Sequence, residues 1–293
     1  MFHENAQEVG LPYDGPPRVK RVSVEVKPSY SLSALVWGDD PAELVLLHGG
    51  AQNAHTWDTV ALALGRPLVA VDLPGHGHSD GRLDVGISPS DYAHDIAVAI
   101  RALAPDARMV VGMSLGGLTA LALAAQDPDL VRKLVLVDVT PGVNREKGSS
   151  IAAFVNGPAS FPNFDEILAR TVEFNPTRSE SSLRRGILHN AVQQPDGSWV
   201  WRYRRWRVIG EGESGAVAAH PDFGALWDAV DAVRAPIMLV RGADSPVVDD
   251  DDVAELRRRQ PTVRVELVEG AGHSIQGDQP LVLANLLADF LRD

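Results

Sequence analysis

The chain has 293 residues, 45% apolar and 23% charged, which is enough for a sizeable core in one large domain or two small ones. Its formal charge of −12 works against a nucleic-acid backbone or an anionic membrane surface as partner, and every long apolar stretch is interrupted before membrane length. With no cysteine, disulfides, thiol catalysis and thiolate metal sites are excluded.

Phe2 to Pro17 carries no charged-then-apolar leader pattern and reads as a loosely packed lead-in to a cytoplasmic protein. Val19 to Val26 alternates apolar and polar residues and Leu32 to Trp37 is a short apolar run, so two antiparallel strands open the fold. The pattern then changes to short continuous apolar runs at Leu44–Leu47, Leu68–Val71, Met109–Val111, Leu134–Val137 and Ile237–Val240, as expected of strands buried on both faces of a parallel sheet. Val263 to Val268 alternates and is the last strand candidate. Between them, residues 55–64, 89–103, 115–126, 250–259 and 279–292 space apolar positions by three or four. This alternation predicts an α/β fold, a parallel sheet with helices on both faces.

Residues 142 to 220 interrupt the alternation with helices expected near 165–173 and 179–192 and no buried-strand run. The reading is a core of residues 1–141 and 221–293 carrying a cap over 142–220; the alternative is a helical elaboration that only stabilises the sheet edge. Trp199-Val200-Trp201-Arg202-Tyr203-Arg204-Arg205-Trp206-Arg207 closes this segment. As a strand it sets Trp199, Trp201 and Tyr203 on one face; as a helix it stripes Trp199, Tyr203 and Trp206. Cap packing is its first reading, with Trp201 as a candidate wall of the substrate pocket.

The sharpest chemical signal is Gly112-Met113-Ser114-Leu115-Gly116, set between a strand and a helix. Such a turn lifts a serine hydroxyl above the sheet, where free N–H groups and the helix dipole favour developing negative charge. A serine needs an adjacent base. Of nine histidines, His273 lies in the small-residue loop Gly270-Ala271-Gly272-His273, between the last strand and the last helix. That is where a catalytic imidazole can approach the serine from the carboxyl edge of the sheet. The orienting carboxylate is expected to be Asp244, after the strand 237–240, with Asp138 at the end of the preceding strand as the alternative. Oxyanion donors are expected in the N–H groups of Leu115 and of Gly50, the latter in His48-Gly49-Gly50-Ala51. His48 reads as structural, and Gln52 and His55 as candidate pocket residues. Asp72 to Ser79 makes a tight turn, and Asp249 to Asp252 suits a helix N-terminus. No metal-ligand motif, phosphate-cradling loop or dinucleotide fingerprint is present, so neither metal nor organic cofactor is expected.

These motifs together resemble the α/β-hydrolase fold superfamily from about Val19 to Asp293. The resemblance rests on His48-Gly49 to Trp57, Asp72 to Ser79, the serine turn, and the Asp244 and His273 loops. It implies a mostly parallel eight-stranded sheet flanked by helices, with a helical cap after the sixth strand. Haloalkane dehalogenases and epoxide hydrolases carry aspartate where Ser114 stands. Hydrolases of meta-cleavage products, which cut C–C bonds, usually carry tryptophan where Ser274 stands. The expectation is therefore a serine hydrolase of a small ester, lactone or related acyl compound, working through an acyl-enzyme. A meta-cleavage-type hydrolase, a cofactor-free haloperoxidase or perhydrolase, and a non-turnover small-molecule receptor of the same fold remain as alternatives.

Overall fold

Eight strands form one mixed sheet in the computed structural model, which describes residues 1–81, 88–203 and 223–293. In chain order the main elements are α1 (Phe2–Glu8), β1 (Val19–Lys27), β2 (Tyr30–Trp37), β3 (Leu44–Leu47), α2 (Asp58–Leu64), β4 (Leu68–Val71), α3 (Pro89–Leu103), β5 (Met109–Met113), α4 (Leu115–Gln126) and β6 (Leu134–Val137). After them come α5 (Ser149–Val155), β7 (Ser160–Phe161), α6 (Phe164–Glu173), α7 (Glu180–Asn190), β8 (Ala191–Gln193) and β9 (Trp199–Trp201). The chain ends with α8 (Trp227–Ala232), β10 (Ile237–Gly242), α9 (Asp250–Arg259), β11 (Arg264–Val268), α10 (Ile275–Asp278) and α11 (Pro280–Arg292). The strand order is β1-β2-β4-β3-β5-β6-β10-β11. Pairing is antiparallel at β1–β2 and β2–β4 and parallel elsewhere.

The apolar runs dictate this arrangement. Every residue of β3, β4, β5 and β6 is buried, so alternate side chains serve the two faces of the sheet. Val45, Leu47, Val69 and Val110 join the layer holding α3 and α4, while Leu44, Leu46, Met109 and Val111 join the layer holding α2 and α11. Helix α9 starts where the acidic run suggested. Asp249 accepts from the Asp252 N–H at 3.0 Å, and Asp252 accepts from the Asp249 N–H at 3.2 Å, a reciprocal cap.

One expectation needs correction. The N-terminal segment is anchored rather than loose: Ala6 of α1 is buried, the Phe2 ring packs edge-on against Trp37 at 5.2 Å, and Asn5 and Glu8 bind Arg185 of α7. The segment is too short for a helical period to show in its residues. The cap region holds the expected helices, and with them a three-stranded sheet of order β7-β9-β8, which decides the open reading of Trp199–Trp201 as strand. Strands of two and three residues are too brief to carry an alternation. Trp199 to Trp201 is strand, whereas Arg204 to Arg207 lie outside the described residues. The far boundary expected for the cap, near residue 220, lies outside them as well. Among the described residues no helix is long and apolar enough to cross a membrane.

Asp72, at the end of β4, ties the turn that follows to the strands before it. Its fully buried carboxylate accepts from the N–H of Ala54 at 2.7 Å and of His78 at 3.1 Å, and pairs with Arg21 at 2.7 Å. Burial alone would raise its pKa. The two N–H donors and Arg21 oppose burial, and the pKa lies below the ordinary carboxylate value. A carboxylate depressed in the folded state stabilises the fold above its unfolded pKa, and that contribution is lost as pH falls through the folded value. Asp72→Ala should therefore cost about 3–5 kcal/mol in urea unfolding at neutral pH, because it strands Arg21 and two buried donors. The deficit against wild type should shrink as the pH falls through the folded pKa.

Candidate active site

The site gathers at the carboxyl ends of the parallel strands, where loops after β3, β5, β6, β10 and β11 converge. Ser114 occupies the one-residue turn between β5 and α4 at φ 50°, ψ −119°. Four non-glycine residues among those described have positive φ, and three of them, Ala51, Ser114 and Asp138, are here, so backbone strain is concentrated at this edge. The turn is possible because its flanks lack side chains. A Cβ on Gly112 would stand 2.3 Å from the Gly116 carbonyl oxygen, and one on Gly116 would stand 2.4 Å from the Leu47 oxygen. Leu115 is the first residue of α4, and the initial N–H groups of a helix have no acceptor within it.

His273 follows β11, and its Nδ1 lies 2.7 Å from Asp138 Oδ2. Asp138 is fully buried and also accepts from the Gly242 N–H at 3.0 Å and from the Ser245 hydroxyl. This corrects the expected partner: the carboxylate against the histidine is Asp138, the alternative, and not Asp244. Asp244 is exposed, and its backbone N–H binds the Ala271 carbonyl at 3.0 Å. Both aspartates follow strands at the same sheet edge and both stand between serine and histidine in the chain. The left-handed turn at Asp138, φ 51°, distinguishes them in space and leaves no mark in the sequence.

The loop after β3 lies against the serine. A Cβ on Gly49 would stand 3.3 Å from Ser114 Cβ. The Gly49 N–H donates to Gln52 Oε1 at 3.1 Å, and that oxygen also accepts from Gln276 Nε2 at 3.3 Å. His48 is structural, as expected. Its Nε2 accepts from the Leu73 N–H at 2.9 Å, which leaves the ring proton on Nδ1 for the Gly49 carbonyl at 2.7 Å. Burial lowers its pKa, so this neutral tautomer is the favoured one.

A cavity of about 490 Å³ opens over Ser114 and His273, lined also by Gly50, Gln52, His55 and Trp201. All the pocket candidates from the sequence thus face one space. In the cap wall the Trp201 ring lies 5.7 Å from Phe154, 5.8 Å from Phe161 and 5.7 Å from Tyr203. His55 has a second set of neighbours that its sequence position did not announce. Its Nδ1 is 2.9 Å from Asp58 Oδ2, and its ring stacks on His189 of α7 at 3.7 Å between centroids. His55 and Asp58 are three residues apart, a weak signal alone, and only the tertiary fold brings in His189.

Residues 43–280 match the family model for the alpha/beta hydrolase fold. The chain belongs to that family. It is 47% identical to the esterase Rv0045c of Mycobacterium tuberculosis, over 99% of this chain and 94% of that protein. A solved structure of that esterase, concerned with its transition metal inhibition, superposes with a TM-score of 0.86 at 46% identity, covering 100% of this chain and 97% of the other. A 2-(acetamidomethylene)succinate hydrolase of Mesorhizobium japonicum is 31% identical over 85% of this chain and 87% of that one. The fold, the family and these relatives make this chain a hydrolase of small acyl substrates.

The elbow is the most demanding local feature, so it supplies a direct test. Gly116→Ala places a methyl group against backbone that cannot swing away, and overpacking of this kind costs about 1–3 kcal/mol or more. The variant should melt several degrees lower and lose activity. Wild-type stability and turnover would mean that α4 does not pack against the β3 loop as described.

Proposed function

We propose that the chain is a serine esterase in which Ser114 is the nucleophile, His273 the general base and Asp138 the acid that orients it. The observation that carries this reading is the 2.7 Å contact of His273 Nδ1 with a buried carboxylate, which leaves Nε2 as the ring nitrogen for a serine proton. Ser114 Oγ attacks the ester carbonyl while Nε2 takes its proton. The N–H groups of Leu115 and Gly50 receive the tetrahedral oxyanion. The imidazolium then protonates the leaving alcohol, and water, activated by the same histidine, releases the acid from the acyl-serine. Asp138 remains ionised throughout, steadied by the Gly242 N–H and the Ser245 hydroxyl. The acyl group is assigned to the cavity under the cap, with Trp201 in its wall. Esterase activity in the M. tuberculosis relative supports this substrate class. We carry over susceptibility to transition metals from the same relative as a property of this chain.

Ser114→Ala should lower kcat on p-nitrophenyl acetate by roughly 10⁴- to 10⁶-fold with the fold intact. Retention of more than about a tenth of wild-type turnover would remove the serine from its role. Asp138→Asn should lower kcat by about 10⁴-fold through loss of the correct tautomer, while Asp244→Asn changes it little. The reverse order would return the acid to Asp244. Trp201→Ala should shift KM and acyl-chain preference across an ester series more than it shifts Tm; constant relative rates with a lower Tm would reduce Trp201 to packing.

A further inference from the structure

We propose that His55, Asp58 and His189 form a binding site for a zinc-class divalent ion that ties cap helix α7 to the core segment after β3. The assignment builds on the metal susceptibility proposed above and gives it a place, but the geometry stands without it. One ligand atom from each of the three residues lies within 4.8 Å of the other two. Tetrahedral zinc holds nitrogen and oxygen ligands at about 2.0–2.1 Å, hence about 3.3 Å from one another, so one ion would need the ligand atoms to close by about 1.5 Å or less and the stacked rings of His55 and His189 to turn out of parallel. Two imidazoles and one carboxylate suit zinc, copper or nickel, and are a poor match for calcium or magnesium. Three protein ligands leave a fourth position for water. All three side chains line the cavity, which gives an ion its route in.

Asp58 is almost fully buried, with Oδ2 2.9 Å from His55 Nδ1. Arg21 faces the cluster, its Nη2 3.0 Å from His55 Nε2. Its charge is matched by Asp72 at 2.7 Å, so two carboxylates, Asp58 and Asp72, face one guanidinium. An ion on His55 Nδ1 displaces the proton shared with Asp58 and moves the ring proton to Nε2, and Arg21 then turns to Asp72 alone.

The site straddles a junction that already exists. Next to His189, Asn190 donates to the Ala51 carbonyl at 2.7 Å and accepts from Asn53 Nδ2 at 3.0 Å. A bound ion would add a stronger tie between the cap and the loop that contains the proposed oxyanion donor Gly50.

The test uses the full chain without an affinity tag, stripped with EDTA and titrated with ZnCl₂ by calorimetry. The expected result is one ion per chain and a Tm raised by about 5 °C at a hundredfold excess over Kd. Cobalt(II) should give the visible absorption of a tetrahedral nitrogen and oxygen shell, and zinc-soaked crystals an anomalous peak between the three residues. His189→Gln and His55→Gln, each checked for an unchanged metal-free circular dichroism spectrum, should both weaken binding at least tenfold. No wild-type binding at millimolar zinc would overturn the site. So would undiminished binding in both variants, or binding lost in His273→Gln and kept in His189→Gln, which would put the ion on the His273–Asp138 pair. None of these readouts needs substrate, so failure of the esterase reading would show separately as absent hydrolysis.

Discussion

The backbone of α4 packs directly on the backbone of the loop after β3, and the rest of the site depends on that contact. Gly116 has room for nothing larger than hydrogen beside the Leu47 and His48 carbonyls, and Gly112 none beside Gly116. This closeness sets Ser114 at the helix N-terminus and brings Gly49 and Gly50 alongside it. In the proposed reaction, a carbonyl on the serine would meet the N–H groups of Leu115 and Gly50, which come from different segments. The positive φ of Ser114 is the strain that accompanies the arrangement, and burial of the surrounding strands over-determines it.

Much of this was legible because the elements near the serine are ruled by local chemistry. Strands β3, β4 and β6 coincide with continuous apolar runs, and α3, α4 and α9 with helical spacing, α3 and α9 opening on side-chain caps at Ser88 and Asp249. The glycine pattern around Ser114 and the small-residue loop before His273 each have one physical purpose, so both could be read from the residues. What could not be read depends on which of several equivalent groups the fold selects. Asp138 and Asp244 share a residue type, a sheet edge and a place in chain order; a single left-handed turn and the donors Gly242 and Ser245 separate them. Likewise Phe2 to Glu8 shows its purpose only when Trp37 and Arg185 are beside it.

The choice of Asp138 has a physical logic of its own. A buried carboxylate beside an imidazole needs hydrogen-bond donors. At the end of β6, Asp138 sits inside the sheet edge, where the Gly242 N–H reaches it from β10 and the Ser245 hydroxyl from the loop beyond. Asp244 is on the outer side of the same loop, where water already solvates it and would weaken any hold on a ring. The protein therefore uses the β10 loop to solvate the carboxylate of its neighbour.

The loop after β3 emerges as the mechanical centre of the molecule. On one side Gln52 joins it to Gln276 and Ser274 beside the histidine; on the other Asn53 and His55 join it to Asn190 and His189 in the cap. His48 and Ala54 fasten its two ends to the turn after β4, through Leu73 and Asp72. A loop held at that many points cannot follow the cap without moving the Gly49–Gly50 backbone, since Gln52 Oε1 is bonded to the Gly49 N–H itself. Contacts to the cap and the path of the Gly49–Gly50 backbone thus belong to one short segment. In such an architecture a residue in the cap can alter turnover without touching the bond being broken.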